Sequence, residues 1–178
     1  MDCDVTGSKQ NSSCRRRHGA LAFACVGLVA GFLATGLVLA QDRGAATAKD
    51  VIFARKTLMN SICEKMSRIE RMISMGQVDL DGANEDAEAI SVMLMAFPHL
   101  FPPSSNQWNP DADPDPATDT YASPELWTAF ADFYQMAAAA SSTAHAMGRV
   151  DKIDDFKDRA RELRIECDTC HALYSENQ

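Results

Sequence analysis

The feature that most constrains the fold is a short cysteine–histidine motif near the end of the 178-residue chain. It reads Cys167-Asp168-Thr169-Cys170-His171. Cys-x-x-Cys-His is the attachment sequence of a c-type haem, in which two thiols bond to the porphyrin and the histidine binds its iron. On a helix, the two cysteines and the histidine share one face. The motif therefore predicts a helix that carries a covalently bound haem c, with His171 as the proximal iron ligand.

Two other kinds of site also use closely spaced cysteines. A thioredoxin-like redox pair lies near a βαβ unit, but no segment beyond residue 40 has the alternating pattern of a strand. A structural zinc site takes about two further cysteine or histidine ligands at a second short spacing. His99, His145 and Cys63 instead stand singly and far apart, so haem attachment is the favoured interpretation.

The first 40 residues have the order of an export signal. Arg15–Arg17 precede an uncharged apolar stretch over residues 20–40, which ends in small residues suited to cleavage. This stretch is also just long enough to span a bilayer. We therefore predict that residues 1–40 are an export signal or an N-terminal membrane anchor. Residues 41–178 are then a haem domain in the periplasm, or anchored in the cytoplasmic membrane and facing the periplasm.

The charge of the haem domain excludes some partners. After residue 40 the chain carries 13 basic and 23 acidic residues, a net charge of −10. Nucleic acids bind basic surfaces, so nucleic-acid binding is not expected. A redox protein partner is expected to offer a basic docking surface. The sequence contains no evident nucleophile–base pair or second metal cluster, so the chain is predicted not to be an enzyme.

Prolines and glycines divide the domain into long stretches of helix-favouring residues. All seven prolines lie between Pro98 and Pro124, in an acidic, proline-rich crossover at about 102–122. The stretches between the breakers predict four helices. These helices are expected at about 50–75, at 83–97, from 124 to Gly148, and from about 151 through the haem motif.

Apolar residues in the first and last predicted helices recur at steps of three and four, the spacing of a buried helical face. In the last helix this stripe contains both motif cysteines and comprises Ile153, Phe156, Ala160, Leu163, Cys167, Cys170 and Tyr174. In the first helix it comprises Ile52, Arg55, Met59, Ile62, Met66, Ile69 and Ile73. The third helix carries a shorter aromatic stripe, which is expected to be core that touches the haem: Trp127, Phe130 and Tyr134.

Two residues of the first helix are candidates for the haem site. A buried arginine needs an anion, and a haem propionate is the obvious anion for Arg55. In the alternative interpretation, Arg55 lies at the end of the stripe and extends to water. Met59, one turn later, could bind the iron opposite His171, or it could be core packing like most of the nine methionines. Cys63 is expected to be a small buried hydrophobic residue.

The chain resembles the class II cytochromes c, the cytochrome c-prime family, over residues 50–174. The first and last helices match the family in Arg55-x-x-x-Met59 and Cys167-x-x-Cys170-His171-x-x-Tyr174. Between them the matching segments are 97–102, Pro124-Glu125-Leu126-Trp127 with Phe130, and the alanine run 137–140. This resemblance implies an all-α, antiparallel four-helix bundle with covalently bound haem near one end.

The family has two branches, and the resemblance implies a choice between them. One branch leaves the iron five-coordinate and binds NO or CO, for gas sensing or NO detoxification. The other is low-spin, with a methionine of the first helix as the sixth ligand. Met59 matches that ligand position, and Arg55 matches the family's arginine near the propionates. The implied function is a monohaem electron carrier that cycles between Fe(III) and Fe(II), with the five-coordinate gas binder as the alternative.

Three departures from the family pattern lie near the haem motif. Arg164 and Glu166 stand where the family often has small residues, and Ser175 replaces a common basic residue. These departures leave the fold prediction intact, but they bear on the redox potential and on how partners dock. The expected partners are redox proteins, a homodimer being possible, and the N-terminal segment could act as a membrane tether.

Overall fold

The structure, a computed structural model, describes residues 46–111 and 119–176, and these residues are mainly helical. The helices are α1 (Ala48–Ser74), α2 (Leu80–Ala96), α3 (Glu125–Thr128), α4 (Phe130–Met147) and α5 (Ile153–Tyr174). Two short 3-10 turns, Phe97–Leu100 and Pro103–Ser105, follow α2. The described residues form no strand beyond an isolated bridge between Ala122 and Ser175. The export signal or anchor predicted over residues 1–40 lies outside the described residues. None of the described helices is long and apolar enough to cross a membrane.

The ends of α1 follow from local sequence signals. Thr47 caps the first turn, because its hydroxyl oxygen accepts a hydrogen bond from the Asp50 N–H at 3.2 Å. The Asp50 carboxylate in turn accepts from the Thr47 N–H at 2.9 Å, which completes a capping box. At the other end, Gly76 adopts a φ of +65°. This left-handed conformation suits glycine and reverses the chain towards α2.

The four long helices form the predicted four-helix bundle. α2 packs against α1 and α4, and α5 packs mainly against α4. Small residues allow α2 and α4 to approach closely, and the Ser141 hydroxyl donates to the Ser91 carbonyl at 2.8 Å across this contact. α1 and α5 contact each other far less. The apolar centre of the bundle, the bundle core, contains buried residues of all four long helices, among them Ile62, Ile90, Ala144 and Leu163.

The third predicted helix is interrupted, and its predicted aromatic stripe is wrong in phase. Ala129, at φ −111° and ψ 33°, separates α3 from α4. The buried residues nevertheless continue one helical face, because Leu126 and Phe133 are seven positions apart and Ala137 and Ala140 follow at steps of four and three. Phe130 and Tyr134 lie off this face and are 36 % and 39 % exposed. In α5 the predicted stripe holds for Phe156, Ala160 and Leu163, but Ile153, the first residue of the helix, is exposed.

A buried carboxylate joins α1 to α2. Asp86 is 1 % exposed, and its Oδ1 accepts from the Lys65 ammonium at 2.9 Å. Its Oδ2 pairs with the Arg68 guanidinium. Charge-assisted hydrogen bonds of this kind are the stronger ones in proteins. Because both cations lie on α1 and the carboxylate lies on α2, these two ion pairs fix the register between the helices.

We expect Asp86→Ala to lower the free energy of unfolding by about 2–3 kcal/mol, because two charge-assisted hydrogen bonds are lost at a buried site. Chemical denaturation monitored by circular dichroism measures the change. Asp158→Ala is the matched control, since Asp158 pairs with Arg161 at 3.0 Å on the exposed surface of α5. Its cost should stay within about 0.5 kcal/mol. Equal costs for the two variants would contradict a structural role for Asp86.

Candidate haem site

A cavity of about 430 Å³ lies between α1 and α5. α1 contributes Arg55, Met59 and Cys63, and α5 contributes Cys170 and His171. The remaining walls are largely apolar and aromatic, formed by Phe97, Phe101, Ala122, Leu126, Phe133 and Tyr174. A smaller cavity of about 40 Å³, lined by Cys167, Cys170 and His171 among others, adjoins the same motif. The structure thus brings all five predicted site residues to one region.

The haem motif lies on α5 as the helical spacing predicted. Cys167 and Cys170 form no disulfide, although they are three residues apart. Burial raises the pKa of each thiol to about 11, so both are protonated at neutral pH. Burial also lowers the pKa of the His171 imidazole. His171 is therefore neutral at pH 7, which is the form that can bind a metal.

The Arg55 guanidinium is the central polar group of the site. It is 4 % exposed, so the alternative in which Arg55 extends to water is wrong. Its Nη1 donates to the Ser105 hydroxyl at 2.9 Å and its Nη2 donates to the Ser105 carbonyl at 3.2 Å. Nη2 also donates to the Thr120 hydroxyl. The Phe101 and Trp127 rings cover the guanidinium at 4.7 and 5.6 Å from their centroids.

Ser105 and Thr120 were not predicted as site residues. They lie 50 and 65 residues from Arg55 along the chain, and no spacing rule connects residues that far apart. Their position in the crossover, near its beginning and its end, was the only available signal. Trp127 was expected to touch the haem. Instead its indole N–H donates to the Phe101 carbonyl at 3.2 Å, and the cavity wall is formed by its neighbour Leu126.

Backbone hydrogen bonds join the end of the crossover to the end of α5. The Ser123 N–H donates to the Tyr174 carbonyl at 3.0 Å, and the Glu176 N–H donates to the Tyr121 carbonyl at 2.8 Å. These backbone bonds bring the segment 120–122 to the wall of the cavity. The cavity is thus closed by residues that lie next to the haem motif in space but about 50 positions before it in sequence.

Arg55 provides a test of whether these residues fit a haem. Among the described residues, no carboxylate lies within ion-pair distance of its guanidinium, and burial lowers its pKa to about 10. A buried cation without an anion is costly. A propionate in the cavity would supply that anion, while the apolar walls suit a porphyrin and His171 suits its iron. The residues present therefore fit a haem.

Met59 and Cys63 lie one turn apart on α1. Both line the large and the small cavity. Three phenylalanines and one leucine form a second apolar cluster, here called the aromatic cluster: Phe97, Phe101, Phe133 and Leu126. Met59 is partly buried and packs against both the bundle core and this cluster. Cys63 is also only partly buried, so it is a cavity-lining residue and not the fully buried one expected. Met59 thus combines contact with apolar core and exposure to the cavity that His171 lines.

Comparison with known protein families identifies the fold. The family model described as Cytochrome C' matches residues 50–175. The chain belongs to the cytochrome c′ family. The match covers every helix that carries a predicted site residue, from Arg55 on α1 to His171 on α5. A comparison with curated protein sequences found no significant match.

Solved structures of cytochromes c′ are similar to this chain. The protein from Thermochromatium tepidum is 18 % identical with a TM-score of 0.64, over 75 % of this chain and 100 % of that one. A nitric oxide complex of a single-residue variant from Alcaligenes xylosoxidans is 17 % identical with a TM-score of 0.62, over 75 % and 100 % of the two chains. A cytochrome c′ with ligand-controlled dimer dissociation is 16 % identical with a TM-score of 0.64, over 74 % and 98 %.

The family membership confirms the class II cytochrome c resemblance and the covalently attached c-type haem. It does not support the narrower expectation of the low-spin branch, because the matches are to cytochromes c′. The family is periplasmic, in agreement with the export signal predicted over residues 1–40. Membership of this family shows a haem protein that functions in electron transfer or gas binding.

We expect Arg55→Lys to lower the free energy of unfolding of the holoprotein by about 2–3 kcal/mol. Lysine keeps the charge but cannot reproduce the fork that binds Ser105 and Thr120 together. Denaturation followed by circular dichroism and by haem absorbance measures the change. The control is Arg159→Lys on the exposed face of α5, which should cost less than about 0.5 kcal/mol. A similarly small cost for Arg55→Lys would mean that the guanidinium geometry is unimportant.

Proposed function

We propose that this protein binds a diatomic gas, NO or CO, at its haem iron. His171 would bind the iron from α5, and the position facing α1 would remain open. The observation that carries this proposal is the composition of the cavity. Within the described residues, His171 is the only imidazole that lines it, and Met59 of α1 packs against the bundle core and the aromatic cluster. A methionine held in this packing would leave the iron position that faces α1 without a protein ligand.

The other site residues have separate roles in this proposal. Cys167 and Cys170 would form the two thioether bonds, which fix the haem to α5. Arg55 would bind a propionate through the N–H groups that it does not use for Ser105 and Thr120. When bound, the haem supplies an iron that accepts NO or CO at its free axial position. The nitric oxide complex of the similar cytochrome c′ from Alcaligenes xylosoxidans supports this choice of ligand.

An electron carrier is the second candidate function, and one observation favours it. Met59 lines the same cavity as His171, from the opposite helix. A thioether bound to the iron would fill the position that the gas needs, and the iron would then exchange electrons without binding a ligand. The two candidates therefore differ in one bond, between the Met59 sulfur and the iron.

We also propose that the protein forms a homodimer. The similar cytochrome c′ with ligand-controlled dimer dissociation supports this proposal. Redox protein partners with a basic docking surface, and a tether formed by residues 1–40, stay predictions from the sequence. A periplasmic site of action agrees with both candidate functions.

The two functions are separated by CO binding to the ferrous protein. We expect wild type to bind CO stoichiometrically, and Met59→Leu to bind it as well, because leucine preserves the apolar wall while removing the sulfur. An absorbance titration under reducing conditions measures binding. Met147→Leu, a change in the bundle core at a residue that lines neither cavity, is the control. If wild type resists CO and only Met59→Leu binds it, Met59 is an iron ligand and the electron-carrier function is correct.

Covalent attachment has a test that is independent of gas binding. We expect Cys167→Ala and Cys170→Ala each to reduce the yield of holoprotein, because each removes one thioether bond. In wild type the haem should stay with the polypeptide in acidified acetone, which extracts haem that is held without covalent bonds. Ser142→Ala, a change on the exposed face of α4, should leave the yield unchanged. Extraction of the haem from wild type would contradict the assignment of both cysteines.

A further inference from the structure

An ion pair joins α1 to α5 beside the haem motif. The Arg164 Nε donates to the Glu70 Oε1 at 2.6 Å, and the two residues are 94 positions apart in sequence. A second carboxylate, Asp168, lies 3.7 Å from the Arg164 Nη1. The Arg164 side chain is 26 % exposed and that of Glu70 is 42 % exposed. The arginine is therefore the more buried member of the pair, and water screens its charge less.

Arg164 also lines the haem cavity, whereas Glu70 does not. It lines both the large and the small cavity, as do Cys63 of α1 and His171 of α5. An α-helix rises about 1.5 Å per residue, so Arg55 and Glu70 lie about 22 Å apart along α1. Arg164 binds Glu70, so the two arginines approach the cavity from different levels of α1. Among the described residues, Arg55 lacks a carboxylate partner, whereas Arg164 has two.

The geometry points to the Arg164–Glu70 pair as a determinant of the reduction potential of the haem. A positive charge near the iron stabilises Fe(II), which carries one positive charge less than Fe(III), and a negative charge has the opposite effect. The low dielectric constant of an apolar cavity strengthens both effects. Because Arg164 lines the cavity and Glu70 stands behind it, the arginine has the larger influence. The expected influence of Arg164 on the reduction potential is the same whether or not Met59 would bind the iron.

Neutral variants of the two partners test this pair, with the midpoint potential of the purified holoprotein as the readout. Arg164→Gln should lower the potential, because it removes a positive charge beside the cavity. Glu70→Gln should raise it, because Arg164 is left without its main counter-charge. The double variant should lie between wild type and Arg164→Gln. A purely structural role would not give shifts of opposite sign from the two halves of one ion pair.

Two further variants keep the test decisive. Arg164→Lys retains the charge and should stay near the wild-type potential, so it separates charge from side-chain shape. Arg159→Gln breaks a similar pair, Arg159–Glu162 at 2.7 Å, on the exposed surface of α5 and should leave the potential unchanged. If Arg164→Gln yields no holoprotein, the rise expected for Glu70→Gln still decides. Shifts of the same sign in Arg164→Gln and Glu70→Gln, or a shift in Arg159→Gln as large as theirs, would overturn the proposal.

Discussion

The haem end of the bundle depends on one buried guanidinium. Arg55 projects from α1 and binds Ser105 and Thr120, which lie near the beginning and the end of the crossover. The end of the crossover, residues 120–122, thereby forms part of the cavity wall, and backbone hydrogen bonds join this end to the end of α5. The same guanidinium lacks a carboxylate among the described residues. The group that closes the cavity thus also requires an anion inside it, which makes the fold and the cofactor mutually dependent.

The packing of the helices explains why the cavity lies where it does. α2 and α4 approach closely through alanine and serine side chains, and α5 packs on α4. α1 and α5 contact each other little, and the cavity between them is lined by the residues of the aromatic cluster. Ion pairs from α1 to Asp86 of α2 and from Glu70 of α1 to Arg164 of α5 fix the remaining part of α1. A haem bound in this cavity would take the place that side chains fill elsewhere in the bundle.

The sequence was informative where the signal is local. The haem motif, the stripe on α1 and the proline and glycine breakers predicted the long helices and brought Arg55, Met59 and His171 to one cavity. Contacts between distant residues were not predictable. Ser105, Thr120 and the Glu70–Arg164 pair depend on how the helices are arranged, and no residue spacing encodes that arrangement. The break at Ala129 was also missed, because no proline or glycine marks it. The predicted aromatic stripe named the wrong face of this region, since Phe130 and Tyr134 are exposed.

We propose that His171 is the only protein ligand of the iron and that no residue of α1 binds it. Electron paramagnetic resonance of the ferric protein as purified, at neutral pH and without added ligand, tests this proposal most directly. Spin state reports the axial ligands, since a bound thioether opposite an imidazole gives a low-spin iron, whereas a single imidazole leaves it high-spin. We predict a high-spin ferric signal. A low-spin signal from wild type that becomes high-spin in Met59→Leu would contradict it.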